Sequence, residues 1–133
     1  MFRLVESISK DPVRFPIKPG VRLVPGQIVM LTDYQGDLVL DICQGYNPLG
    51  ILGNRCWGGS TLNFTKNGNV YLQRMIADVS KFDRENNIEI GDSLYCNDSG
   101  VFTSSRPFFD SLVLAKVISP SNNKKKHMQI LWL

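Results

Sequence analysis

Catalysis by acid–base or nucleophilic chemistry needs a few side chains gathered at one place: a carboxylate pair, or a histidine beside a serine or cysteine. This chain offers little for that purpose. Its one histidine, His127, directly follows Lys124-Lys125-Lys126, and a histidine in a cationic loop reads as a solvated surface residue rather than a general base. Cys43, Cys56 and Cys96 show no C-x-x-C spacing, and His127 lies far from each in sequence. A structural zinc site commonly wants four ligands in paired spacing. The three thiols read instead as free, mostly buried cysteines of a reducing compartment. The acids Asp83, Glu85, Glu89 and Asp92 surround Asn86-Asn87 without the alternation of a calcium loop, and no phosphate-binding or dinucleotide-binding glycine motif occurs. No catalytic residue, metal site or cofactor is expected.

Binding is the remaining class. Exposed aromatics beside a basic run would suit nucleic acid, with Tyr34, Tyr46, Trp57, Phe64, Tyr71 and Trp132 as stackers and Lys124–Lys126 as the phosphate patch. Most of these aromatics sit in apolar runs, where core packing explains them, and Pro107-Phe108-Phe109 reads as a core plug before a strand. The net charge of +3 is uneven. Residues 1–26 carry five bases and two acids, residues 27–65 one base and three acids, residues 66–110 five bases and seven acids, and residues 111–133 four bases and no acid. Basic ends around an acidic middle suggest termini that touch something negative. The acidic centre argues against direct nucleic-acid contact. The start, Met1-Phe2-Arg3-Leu4-Val5-Glu6, is not expected to act as a secretory signal. No apolar run approaches the ~20 residues of a membrane helix, so no membrane partner is expected.

The elements that must position these residues are short and β-rich. A chain of 133 residues supports one core. Expected strands are Val21–Val24, Gln27–Thr32, Leu38–Ile42, Leu49–Leu52, Asn69–Ala77, Ser93–Cys96, Val101–Thr103, a stretch within Ser111–Ser119, and Met128–Leu133. They are punctuated by 11 Gly and 7 Pro. Tyr34-Gln35-Gly36-Asp37 and Asn97-Asp98-Ser99-Gly100 close two hairpins, and Lys66-Asn67-Gly68-Asn69 reads as a turn launching the Asn69–Ala77 strand. A helix over Val70–Phe82 is the weaker reading of that region. No internal repeat of 20 residues or more stands out. The fold expected is all-β, a single-domain β-sandwich or small β-barrel over residues 20–133.

Residues 1–19 differ. Pro12, Pro16 and Pro19 interleave with Val13, Arg14, Phe15 and Ile17, which favours an extended arm or edge strand. One reading lays this arm as an added strand on a neighbouring molecule. Phe2, Val5, Phe15 and Ile17 would then fill pockets while Arg3 and Arg14 meet carboxylates, and deleting residues 1–15 would leave the fold intact. The other reading makes it the domain's own first strand. Trp57, in the glycine-rich loop Gly53–Asn63, is a further candidate contact.

Two blocks carry a family resemblance. Val24-Pro25-Gly26-Gln27-Ile28-Val29-Met30-Leu31, Gly36-Asp37-Leu38-Val39-Leu40 and Pro48-Leu49-Gly50-Ile51 resemble the opening of tailed-bacteriophage head decoration (cement) proteins. Ile90-Gly91-Asp92-Ser93-Leu94-Tyr95, Ser99-Gly100-Val101-Phe102-Thr103, Leu114-Ala115-Lys116-Val117-Ile118 and Met128–Leu133 are similar to their closing pattern, with Ala115 where the pattern commonly has Gly. Residues 53–89 match nothing in it. The resemblance implies a non-enzymatic virion structural protein, made in the host cytoplasm and carried on the capsid exterior. Its partner would be the major capsid protein or another virion component, and it would work as a dimer or trimer that clamps neighbouring subunits. A nucleic-acid-binding small barrel and a tail or baseplate component are the alternatives.

Overall fold

The computed structural model describes residues 2–7, 11–61, 66–72, 74–84, 87–109, 111–121 and 126–133. Among the described residues the chain is built of strands, with no helix. In order they are β1 Phe2–Ser7, β2 Val13–Pro16, β3 Arg22–Leu23, β4 Ile28–Tyr34, β5 Asp37–Ile42, β6 Gly50–Leu52 and β7 Cys56–Trp57. There follow β8 Asn67–Tyr71, β9 Met75–Val79, β10 Ser93–Cys96, β11 Phe102–Thr103, β12 Ala115–Ser119 and β13 Met128–Trp132. One sheet runs β1-β9-β13-β12-β10-β11, a second β2-β8-β6-β4-β5, and β3 pairs with β7. The sheets do not close into a barrel, so of the two expected architectures the β-sandwich describes the molecule.

The chain contains one five-strand unit twice. In the first unit β4–β5 is a hairpin, β6 pairs with β4, β8 with β6, and β2 with β8. In the second β10–β11 is the hairpin, β12 pairs with β10, β13 with β12, and β9 with β13. Register repeats too: Ile28 opposes Ile51, and Ser93 opposes Lys116, each residue 65 further along (28 and 93, 51 and 116). The connecting hydrogen bonds coincide. Gly26 N–H donates to the Leu52 carbonyl at 2.8 Å and Leu52 N–H to that of Gln27 at 2.9 Å. Gly91 N–H donates to Val117 at 2.8 Å and Val117 N–H to Asp92 at 3.1 Å. In each unit the hairpin is entered by the same turn, with Val24 N–H donating to Gln27 Oε1 and Glu89 N–H to Asp92 Oδ2, both at 2.8 Å. The glycine inside each turn needs its missing Cβ, since Gly26 and Gly91 sit at φ 91° and 82°.

Both units also roll their sheet in the same way. Ile17, just after β2, makes a parallel bridge to Leu40 of β5, and Lys18 N–H donates to the Leu40 carbonyl at 2.9 Å. Phe82, just after β9, bridges Phe102 of β11, and Asp83 N–H donates to the Phe102 carbonyl at 2.7 Å. The segment that follows the first strand of each unit therefore touches the far edge of its own sheet through a single bridge, without closing it.

Two apolar clusters follow. Ile17, Leu23, Val29, Leu40, Leu52, Cys56 and Val70 fill the inside of the first unit. The second cluster fills the other unit around Phe102 and Trp132, whose rings meet edge-on at 5.6 Å, and it takes in Ile28, Met30, Cys43 and Ile51 from the first. The sheet of the first unit is thus covered on both faces. Ile28 and Met30 point one way and Val29 the other, which is why β4 reads as a continuous apolar run rather than an alternation.

Several expectations change. The strand expected over Asn69–Ala77 is two strands, β8 and β9, because Arg74 adopts φ +67° and gives its N–H to the Trp132 carbonyl. Asn67-Gly68-Asn69 lies inside β8 rather than in a turn, and the helical alternative over Val70–Phe82 is absent. The internal repeat went unseen because it is carried by hydrogen-bond register, not by matching side chains. Phe64 and Lys124-Lys125 lie outside the described residues.

Candidate docking surfaces

The described N-terminal residues are built into the chain's own sheets. β1 runs antiparallel to β9, with Phe2 opposite Val79 and Arg3 opposite Asp78, and β2 runs antiparallel to β8. Phe2 is half-buried, its ring 5.0 Å from that of Tyr71. Arg3 Nε donates to Asp78 Oδ2 at 2.8 Å and its Nη2 reaches the same oxygen. Asp78 is buried beneath, also accepting from Gln129 Nε2 at 3.3 Å and lying 4.0 Å from His127 Nε2. His127 is thus half-buried against an acid rather than solvated in a cationic loop. Ile17 is fully buried and Phe15 half-buried, while Val5 and Arg14 are exposed. Of the six arm residues singled out from sequence, Val5 and Arg14 present an open surface, and Arg3 is exposed while bound to Asp78.

Sequence reasoning missed the largest apolar exposure among the described residues. The segment between β11 and β12 makes a turn in which Phe108 N–H donates to Ser111 Oγ at 3.0 Å and Ser111 N–H to the Phe108 carbonyl at 3.2 Å. Arg106 braces it, its Nη2 donating to Tyr95 Oη at 3.2 Å with the guanidinium 5.2 Å above that ring. Phe109 is left 97% exposed and Leu112 77%. Phe108 and Tyr46, each about half exposed, complete the patch, and Tyr46, Phe108 and Leu112 line a cavity of about 180 Å³ with Cys96 and Leu114 at its base. The expected core plug is therefore an outward-facing patch. An eleven-residue gap between Phe102 and Leu114, against eight between Leu40 and Leu49, is the signal that would have found it.

Beneath the patch, Cys96 Sγ donates to the Asn97 carbonyl at 3.1 Å and Cys43 Sγ to that of Tyr46 at 3.3 Å. The closeness of the two thiols pushes the Cys43 pKa down and that of Cys96 up. All three cysteines are free and buried, and burial pushes Cys56 up to about 11.

A second surface lies on the first unit. β3 and β7 pair Arg22 with Trp57 and Leu23 with Cys56. The pair is anchored by Gly58 N–H donating to Val21 and Gly20 N–H to Gly59, both at 2.8 Å. Gly58 has no alternative, since a Cβ there would stand 1.9 Å from the Lys18 carbonyl oxygen. Trp57 is 48% exposed, as its glycine-rich surroundings suggested, with the Arg22 guanidinium 5.4 Å over its ring. Together with Arg55 and Lys66 these residues line a groove of about 570 Å³ floored by Leu23 and Cys56.

Among the described residues no group of three or more His, Cys, Asp or Glu side chains is placed to hold a metal, and no helix is long and apolar enough to cross a membrane. Comparison with known proteins finds no matching family model and no matching curated sequence.

Proposed function

We propose that this chain is a non-enzymatic structural component of a tailed-phage virion that docks on the outside of the assembled head and clamps neighbouring major capsid subunits. The observation that carries the reading is the patch of Tyr46, Phe108, Phe109 and Leu112. Monomeric soluble proteins rarely leave large apolar side chains exposed together, and where they do the patch marks an interaction surface. The turn around Phe109 holds the ring outward by two hydrogen bonds and an arginine brace, so the exposure is a built feature. Resemblance of the strand–turn blocks to head decoration proteins supplies the partner. Many copies on a lattice let each contact be weak, and a dimer or trimer of the chain would multiply it further.

The test is co-sedimentation of the chain with assembled empty heads, using Phe109→Ser/Leu112→Ser as the variant. Both residues touch little, so stability should stay within about 0.5 kcal/mol while the bound fraction at a fixed concentration drops at least tenfold. Unchanged binding by the variant overturns the patch as the docking surface. A chain that ignores heads altogether overturns the function.

A further inference from the structure

The groove beside Trp57 is a second binding surface with its own chemistry. Three cations, Arg22, Arg55 and Lys66, stand around it, no acid among the described residues lines it, and its floor is Leu23 and the neutral thiol of Cys56. None of the three takes part in the ion pairs among the described residues, which are those of Arg3, Lys18 and His127 with Asp78 or Asp41. The groove is also an addition to the repeated unit. Seventeen residues separate Leu52 from Val70, where twelve separate Val117 from Ile130, and no described strand pair in the second unit corresponds to β3–β7.

We infer that this groove receives an acidic segment of the partner protein, in which carboxylates flank an apolar side chain. The apolar residue would rest on Leu23 and Cys56 beside the indole, and the carboxylates would meet the two guanidinium forks and the ammonium at the rim. Nucleic acid is the other anion of the right size, and two features disfavour it. One face of the indole already carries Arg22, which reduces what a stacked base could gain. The cations also surround one concavity rather than forming the track along which a phosphate backbone would run. The inference rests on the docking reading above and names the chemistry of one contact within it.

The experiment titrates the full chain with a peptide of alternating Glu and Leu, and separately with a fifteen-nucleotide oligothymidylate, following indole fluorescence. Trp132 is fully buried, so a change on binding reports Trp57. The peptide should saturate, and Arg22→Gln/Arg55→Gln/Lys66→Gln should weaken it at least tenfold. Removing two other exposed cations, in Lys81→Gln/Lys126→Gln, should change it less than twofold. Peptide binding that the triple variant leaves intact, no peptide binding at all, or oligothymidylate binding more tightly and through the same three residues each overturns the inference. Co-sedimentation with heads separates the two claims. A chain that binds peptide through the groove yet ignores heads keeps the groove and loses the virion role, and one that binds heads equally well after the triple substitution keeps the role and loses the groove.

Discussion

In the first unit the long connection runs from Leu52 to Val70 and carries Trp57 with two of its three cations, Arg55 and Lys66; in the second it runs from Phe102 to Leu114 and carries Phe109 and Leu112. Between those connections the two units share a skeleton, down to the donors and acceptors of their turns. The skeleton answers to backbone hydrogen bonding and burial, which are the same in both. The connections answer to whatever the molecule touches. Under the proposed docking role, the divergence between two copies of one unit gives each a different chemistry: apolar adhesion on one unit, cation and aromatic on the other.

The largest effect that would sharpen this comparison concerns β1. It pairs with β9 of the second unit, and among the described residues the first unit has no equivalent added strand. Deleting residues 1–15 removes β1, most of β2 and the Arg3 partner of buried Asp78. The chain should then fail to fold, as judged by loss of its near-ultraviolet circular dichroism, in contrast to the arm reading of the sequence. A folded truncation would return residues 1–15 to a role in trans.

Next come the equivalent bridge residues Leu40 and Phe102, both fully buried. Leu40→Ala should cost about 2–5 kcal/mol and Phe102→Ala about 3–5 kcal/mol. Because Ile28, Met30, Cys43 and Ile51 of the first unit lie in the second unit's core, urea should unfold each variant in a single transition. Two separate transitions would mean that the units are independent domains.

The smallest effect uses one position in both units. Arg14 opposes Asn69 in β2–β8 as Asp78 opposes Gln129 in β9–β13. Asp78→Ala removes a buried acceptor and should cost about 1–3 kcal/mol, whereas Arg14→Ala, on the exposed side of an edge strand, should stay within about 0.5 kcal/mol. Equal costs in urea titrations would deny that the second unit has recruited this position to hold β1.

Much of the skeleton was legible from residue types. The two hairpins were placed by Gly36 and Gly100 between apolar runs. The break at Arg74 was not, because a positive φ at a non-glycine residue leaves no trace in the sequence. Nor was the exposure of Phe109. Phenylalanine before an apolar strand ordinarily packs inward, and the long Phe102–Leu114 connection stands out only against the register repeat, which residue types do not show. Trp57 was legible as exposed, but Arg22, Arg55 and Lys66 were not legible as its neighbours, since Arg22 reaches the groove only through the β3–β7 pairing.

The most direct test of the docking role is cryo-electron microscopy of virions from the source that encodes this chain. The account predicts density for the two-unit sandwich on the outer face of the head, with the Phe109 turn and the Trp57 groove both against capsid subunits. Particles without the chain, or a chain found only inside the head against the packaged DNA, would contradict it.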